Sequence, residues 1–172
     1  LFIDGEGRLS SCGSTPSYLG QGLLGHGEGV TRLNTPTRLP SSLGERAVSV
    51  SAGGGNSLWS WGALTADGAV WSWDGGAFGK LGHGDRQAQL LPKKIEAFAG
   101  QRVVAVSAGG EHSLALTADG AVWSWGWGGD GVLGHGDRED QLLPKRVEAF
   151  AGRRVVAVSA ADRHSLALAA DG

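Results

Sequence analysis

The chain has 172 residues, 41% of them hydrophobic and 19% charged, with 15 basic and 17 acidic side chains and a net charge of -2. That length holds one ordinary domain with a real core, and the charge balance excludes the basic footprint of a nucleic-acid binder. The lone Cys12 excludes an internal disulfide framework, and no apolar run approaches the roughly 20 residues of a membrane helix. The opening "LFIDGEGRLS" carries no signal-peptide pattern, and the absence of methionine predicts a fragment or a processed piece. Glycine contributes 31 residues and tryptophan seven. Disorder does not suit so many tryptophans, whereas short strands joined by tight turns do.

The chain reads as a repeat. Residues 1–46 form its most divergent unit, in which "GRLSSCG" (Gly7 to Gly13) aligns with "GAVWSWG" (Gly120 to Gly126). Cys12 then stands where Trp125 stands, and extra residues around "STPSYLGQG" precede "LGHGE" at Leu24. Residues 47–102 open on the strand-like "AVSVSA" and continue through "SAGGGNSLWSWGALTADG". Set against "SAGGEHSLALTADG" of the next unit, the four residues Trp59 to Gly62 are extra. They predict a bulge or a lengthened hairpin, since four residues leave the facing of a period-2 strand unchanged.

Residues 103–154 are the clearest unit. The Val-rich "RVVAVSAG" reads as a strand, "HSLALTADG" as a second strand with Leu114, Leu116 and Ala118 on one face, and its "ADG" as a hairpin turn. "AVWSW" returns as the third strand, a long loop "GWGGDGVLGHGDREDQLL" follows, and Pro144 opens an edge-like fourth strand, "PKRVEAF". Residues 155–172 begin the cycle again. The glycine of "ADG" falls at Gly68, Gly120 and Gly172, a spacing of 52 each time. Four short strands per unit, repeated radially, make one blade of a β-propeller. The expected fold is therefore all-β, a partial propeller of about three four-stranded antiparallel blades. Open blade edges would invite self-association.

The structural positions follow from the repeat. Trp71, Trp73, Trp123 and Trp125 supply large buried surfaces between blades, and Gly68 and Gly120 supply the turn conformation. Gly82, His83 and Gly84, with Gly134, His135 and Gly136, form the "GHG" phrases, whose histidines are expected to fix the loop by a repeated hydrogen bond. His112 and His164 take the same reading near the start of a strand. Equivalent histidines on separate blades lie too far apart for a metal site. "GWGGDG" (Gly126 to Gly131) imitates a dinucleotide fingerprint but lacks the following helix, and the previous unit loses the pattern. No catalytic residue, cofactor site or metal site is assigned. The best partner-contact candidates are Asp85 and Arg86, with Asp137, Arg138, Glu139 and Asp140, in the polar loops "GDRQAQ" and "GDREDQ". Their plainer reading is a solvated loop.

The phrases "AGGEHSLAL", "ADGAVWSWG" and "GVLGHGD" closely resemble the repeat of the regulator of chromosome condensation family, over nearly the whole chain. The resemblance implies a propeller, with seven blades in the usual family ring. It also implies a protein-interaction scaffold, not an enzyme, within the nucleus or cytoplasm. Two narrower roles occur in the family. One is guanine-nucleotide exchange on a small GTPase. The other is ultraviolet-B sensing through tryptophans in a "GWRHT"-like phrase. The positions matching that tryptophan hold Gly54, Gly110 and Asp162. Direct nucleic-acid contact is not expected from the charge.

Overall fold

The structure, a computed structural model, describes residues 1–14, 24–40, 43–44, 46–54 and 59–171. Four antiparallel sheets follow one another along these residues. The first holds β1 (Phe2–Ile3), β2 (Leu9–Ser14) and β3 (Arg32–Arg38). The second holds β4 (Ala47–Gly54), β5 (Trp59–Thr65), β6 (Val70–Asp74) and β7 (Gln89–Lys94) in simple sequential order. The third repeats it with β8 (Val103–Ala108), β9 (His112–Thr117), β10 (Val122–Gly126) and β11 (Gln141–Arg146). The fourth is the pair β12 (Val155–Ala160) and β13 (Ser165–Ala169). The fold is a partial β-propeller. Among the described residues it has two complete four-stranded blades, one of three strands and one of two, in keeping with the expected partial propeller of about three blades.

The first strands of neighbouring blades lie against each other, β4 with β8 and β8 with β12, so they form the inner rim. Each inner strand starts with a bulge, at Ala47/Ser49, Val103/Ala105 and Val155/Ala157. The extra residues are Val48, Val104 and Val156, which are left half exposed because a bulged residue has no partner opposite it. All six residues of β9 are buried, not one face only, because its blade has a neighbour on either side.

Two expectations about strand limits change. The fourth strand runs from Gln141 to Arg146, with Pro144 inside it, and "EAF" (Glu148–Phe150) folds as a 3-10 turn. Proline is tolerated because β11 is the outer edge and pairs on one side only. The long hairpin is also settled. The register of Ala47↔Thr65 through Ala52↔Trp61 matches that of Val103↔Thr117 through Ala108↔Ser113, and two further pairs, Gly53↔Ser60 and Gly54↔Trp59, extend it. The hairpin is lengthened without a change of facing. Counted from the turn, Trp59 to Gly62 occupy the backbone positions of Glu111 to Leu114, and residues 55–58 lie outside the described residues. The insertion expected in the first unit, at residues 15–23, also lies outside them.

Apolar clusters fill the three blade junctions. Leu9, Leu39, Ala47, Ala63 and Trp73 join the first two blades, and Leu64, Val70, Ile95, Phe98, Val103, Ala115 and Trp125 join the next two. Leu116, Val122, Val147 and Val155 lie at the last junction. Trp73 and Trp125, the second tryptophans of the "WSW" phrases on β6 and β10, thus pack backwards onto the preceding blade. Phe98 meets Trp123 and Trp125 edge-on, with ring centroids 5.7 and 5.8 Å apart.

Candidate interaction surface

The loop after each third strand is held by one serine. Ser72 donates its hydroxyl hydrogen to the carbonyl of Leu81 at 2.7 Å and lies 3.0 Å from Nε2 of His83. Ser124 does the same with Leu133 and His135, at 2.7 and 3.0 Å, and Ser11 with Leu24 and His26, at 2.8 and 3.0 Å. Because the serine proton is spent on the carbonyl, the imidazole donates through Nε2–H, and the neutral ring that does so carries its proton on Nε2. Burial, acting first, lowers the pKa of all three histidines, which favours that state. Gly82, Gly84, Gly134 and Gly136 flank His83 and His135 with positive φ, which turns the loop back under its own strand. Trp71, Trp73, Trp123 and Trp125 straddle the clasping serines and face the preceding blade.

A second set of bonds crosses between blades. On the inner rim, Ser51 Oγ accepts the backbone N–H of Ala108 at 3.0 Å, and Ser107 Oγ accepts that of Ala160 at 2.9 Å. The carbonyls of Gly68 and Gly120 each accept, at 3.2 Å, the N–H of the first residue in the next inner strand, Val103 or Val155. Both glycines take φ near +87°, as the "ADG" turn requires. Higher up, Ser113 donates to the carbonyl of Lys80 at 2.9 Å and Ser165 to that of Val132 at 2.7 Å. His112, fully buried, completes this junction through Nε2 to Ser165 Oγ at 2.9 Å. Burial first, then the nearby His164, lowers the pKa of His112 to about 4. His164, the equivalent residue of the last blade, is exposed.

Charge enters the junctions at the hairpin turns. Lys80, whose side chain is fully buried, reaches Glu111 at 3.2 Å. Desolvation lowers its pKa, and the attraction of Glu111 and Asp74 opposes that. Asp74 occupies the site of Gly126, with φ of +96°, and is itself buried. At the next junction the signs are reversed: Arg163 stands where Glu111 stands, and it meets Asp130 at 3.8 Å and lies over the Trp127 ring at 5.8 Å.

The structure draws the partner-contact candidates together in part. Arg86 Nη2 lies 3.1 Å from Asp140 Oδ2, which fuses the polar loops of two neighbouring blades into one surface. Asp140 also accepts the N–H of Gly128. Asp85 and Asp137 instead accept backbone N–H groups two residues on, from Gln87 and Glu139, so they shape their own loops. Arg138 and Glu139 are exposed. Among the described residues no group of three or more His, Cys, Asp or Glu could hold a metal ion, and no helix is long and apolar enough to cross a membrane. Sequence reasoning missed Lys80, Asp74 and the stitching serines. Their signal was available in the repeat alignment, as serines that recur and as two charged residues that do not.

The comparisons with known proteins agree with this geometry. The family model described as "Regulator of chromosome condensation (RCC1) repeat" matches residues 67–116 and 119–168, and a second model with that description matches 103–132. The chain is 40% identical over 151 residues to the Ultraviolet-B receptor UVR8 of Arabidopsis thaliana, a match covering 88% of this chain and 33% of the receptor. It is 42% identical over 173 residues to the E3 ubiquitin-protein ligase HERC2 of Homo sapiens, covering 98% of this chain and 3% of the ligase. The crystal structure of human WBSCR16 aligns with a TM-score of 0.79 at 25% identity, over 97% of this chain and 41% of that one. Prp20p of Saccharomyces cerevisiae aligns with a TM-score of 0.81 at 22% identity, over 97% and 40%. The chain therefore spans a third or less of the two curated relatives.

Proposed function

The chain belongs to the regulator of chromosome condensation (RCC1) repeat family, and from that premise we propose that it serves as a non-catalytic protein-interaction scaffold. One observation carries this reading. The Arg86–Asp140 bond joins two equivalent polar loops from adjacent blades into a continuous, exposed and chemically mixed surface. A rigid stack of blades presenting variable loops is how one fold serves different partners. Of the six partner-contact candidates, Arg86, Asp137, Arg138 and Glu139 are exposed, and Arg86, Arg138 and Glu139 are those whose side chains do not accept a backbone N–H within their own loops. The net charge of -2 argues for a protein partner over nucleic acid. The test is affinity capture from cell extract with the chain and with a triple variant, Arg86→Ala, Arg138→Ala and Glu139→Ala. Partners retained by the parent chain and lost by the variant support the loop surface. Identical captured sets would remove it.

A second reading, nucleotide exchange on a small GTPase, draws support from the fold shared with Prp20p, whose structure was reported with its binding properties to Gsp1p and histones. Release of a fluorescent GDP analogue from such a GTPase separates the two. Exchange requires release to accelerate in proportion to added chain, and scaffolding alone leaves it unchanged.

A further inference from the structure

The chain carries a net charge of -2, yet the blade ends that hold the "ADG" turns are lined by cations. Each of the two complete blades has a cleft there, between its hairpin turn and the loop that leads to the next inner strand. In the second blade the cleft has a volume of about 240 Å³, and Lys94 and Arg102 line it with a single carboxylate, Asp67. In the third the volume is about 260 Å³, and Arg146 and Arg154 take those places beside Asp119. Arg153 adds a further cation but pairs with Asp171 at 3.7 Å. The first blade repeats the cationic pair as Arg38 and Arg46. Successive connections in an antiparallel blade alternate between its ends, so these clefts lie opposite the Arg86–Asp140 loops.

One arginine of each pair is built into place. A Cβ on Gly68 would meet Arg102 Cγ at 2.7 Å, one on Gly120 would meet Arg154 Cγ at 2.8 Å, and one on Gly7 would run into Arg46 Cγ. The glycine of the turn makes room for an arginine stem to lie along it. The stem is held and the head is unspent. Arg102 and Arg154 are exposed, and among the described residues neither guanidinium has a hydrogen bond or ion pair. The acid of each cleft is committed to its own turn. Asp67 Oδ1 accepts the Thr65 hydroxyl at 2.6 Å and the Ala69 N–H at 3.2 Å, and Asp119 accepts those of Thr117 and Ala121 at 2.6 and 3.3 Å. On the other wall, the N–H groups of Gly100 and Gly152 have no partner among the described residues. A Cβ on either glycine would meet nothing within 4 Å, so the wall is open.

We propose that these clefts bind phosphate monoesters on an extended, multiply phosphorylated segment of a partner protein, one phosphate to a cleft on neighbouring blades. A phosphate monoester brings about two negative charges and several acceptor oxygens, enough to take a guanidinium fork, a second cation and a backbone N–H together. A carboxylate is satisfied by the fork alone. Recurrence of the cleft blade after blade suits a ligand whose anions recur along one chain, because linked sites bind more tightly than any one of them. This surface is separate from the Arg86–Asp140 loops and stands or falls without them.

The probe is a fluorescein-labelled Gly-Ser peptide with phosphoserine at every third position, titrated with the chain and followed by anisotropy. Saturable binding is expected, weakened roughly tenfold or more by Arg102→Gln combined with Arg154→Gln. Arg102→Lys with Arg154→Lys keeps the charge, loses the fork and should give a smaller loss. Arg32→Gln, at the far end of the first blade, should leave binding unchanged. The same peptide with glutamate at those positions should bind at least about tenfold more weakly, and with plain serine not at all. No saturation, equal binding of the glutamate peptide, or indifference to both double variants overturns the proposal. So does tighter binding of phosphatidylcholine vesicles containing phosphatidylinositol phosphate, or of a single-stranded oligonucleotide, because the phosphate would then belong to a lipid or a nucleic acid.

Discussion

His112 and Ser165 stand 53 residues apart in the chain and 2.9 Å apart in space, and their bond ties one blade to the next. Ser165 passes its own proton to Val132, so His112 must present Nε2–H, which leaves Nδ1 buried without a partner. Protonating Nδ1 would place an unpaired charge inside the junction. The folded-state pKa, about 4 against an ordinary 6.5, expresses that cost. Between those values the unfolded chain takes the proton first. Stability is therefore fully present above pH 6.5 and falls as pH drops toward 4, by about 3 kcal/mol if the whole shift is realised. Urea unfolding at pH 7.5 and 4.5 measures it. His112→Gln should flatten the profile, and an unchanged profile would show that other groups carry the dependence.

Trp125 contributes both bulk and a bond. Trp125→Phe keeps most of the apolar contact with Phe98 and Ile95 but withdraws the donor from the Lys80 carbonyl, which retains Ser113. A loss of about 1–2 kcal/mol is expected. Trp125→Ala also opens a cavity at the junction, for about 3–5 kcal/mol, a large share of a domain's usual stability of about 5–15 kcal/mol. Denaturant midpoints at constant slope check both, and equal losses would mean that the bond rather than the packing dominates.

Lys80 and Asp74 depart from the repeat together. The next unit has Val132 and Gly126 in their places, and Asp74 holds a φ of +96° that suits glycine. Each charge offsets part of the other's desolvation. Lys80→Val or Asp74→Gly alone should cost stability by exposing the other's burial. The double variant should cost less than the sum of the two single variants, because neither buried charge is then left facing the loss of the other, while Glu111 still loses its cation. The double-mutant cycle is the measurement, and strict additivity would deny the coupling.

The clasp at Ser124 is a local device. Ser124→Ala removes the donor to Leu133 and the acceptor for His135, at a cost of about 1–2 kcal/mol. His135→Ala keeps the carbonyl bond and should cost less. Hydrogen exchange at residues 132–137 should rise more in the serine variant, and the reverse order would shift the main role to the histidine.

Much of this architecture is legible in the sequence because repetition does the alignment. "ADG", "WSW" and "LGHG" recur, and each marks a turn, an inward-packed strand and a clasped loop. The fourth strand is misplaced by reading Pro144 as its start, since proline's lack of an N–H matters only on a paired side and β11 turns one side outward. The junction bonds are invisible for a different reason. Ser51 with Ala108 or His112 with Ser165 join residues more than fifty apart, and no local pattern encodes such a contact. Nothing in the sequence immediately around Lys80 signals that it is fully buried beside Glu111.

The opposed charges at equivalent turns bear on how such a gene can change. Near-identical repeats invite unequal recombination, which removes one unit and joins its neighbours in frame. Deleting the unit that carries Glu111 would seat Arg163 beside the buried Lys80, in place of its carboxylate. The spliced blades would still match in length, turns and tryptophans, yet the new junction would trap two cations in a poorly solvated space. The order of these two repeats is thus guarded by the residue at the position of Glu111 and Arg163.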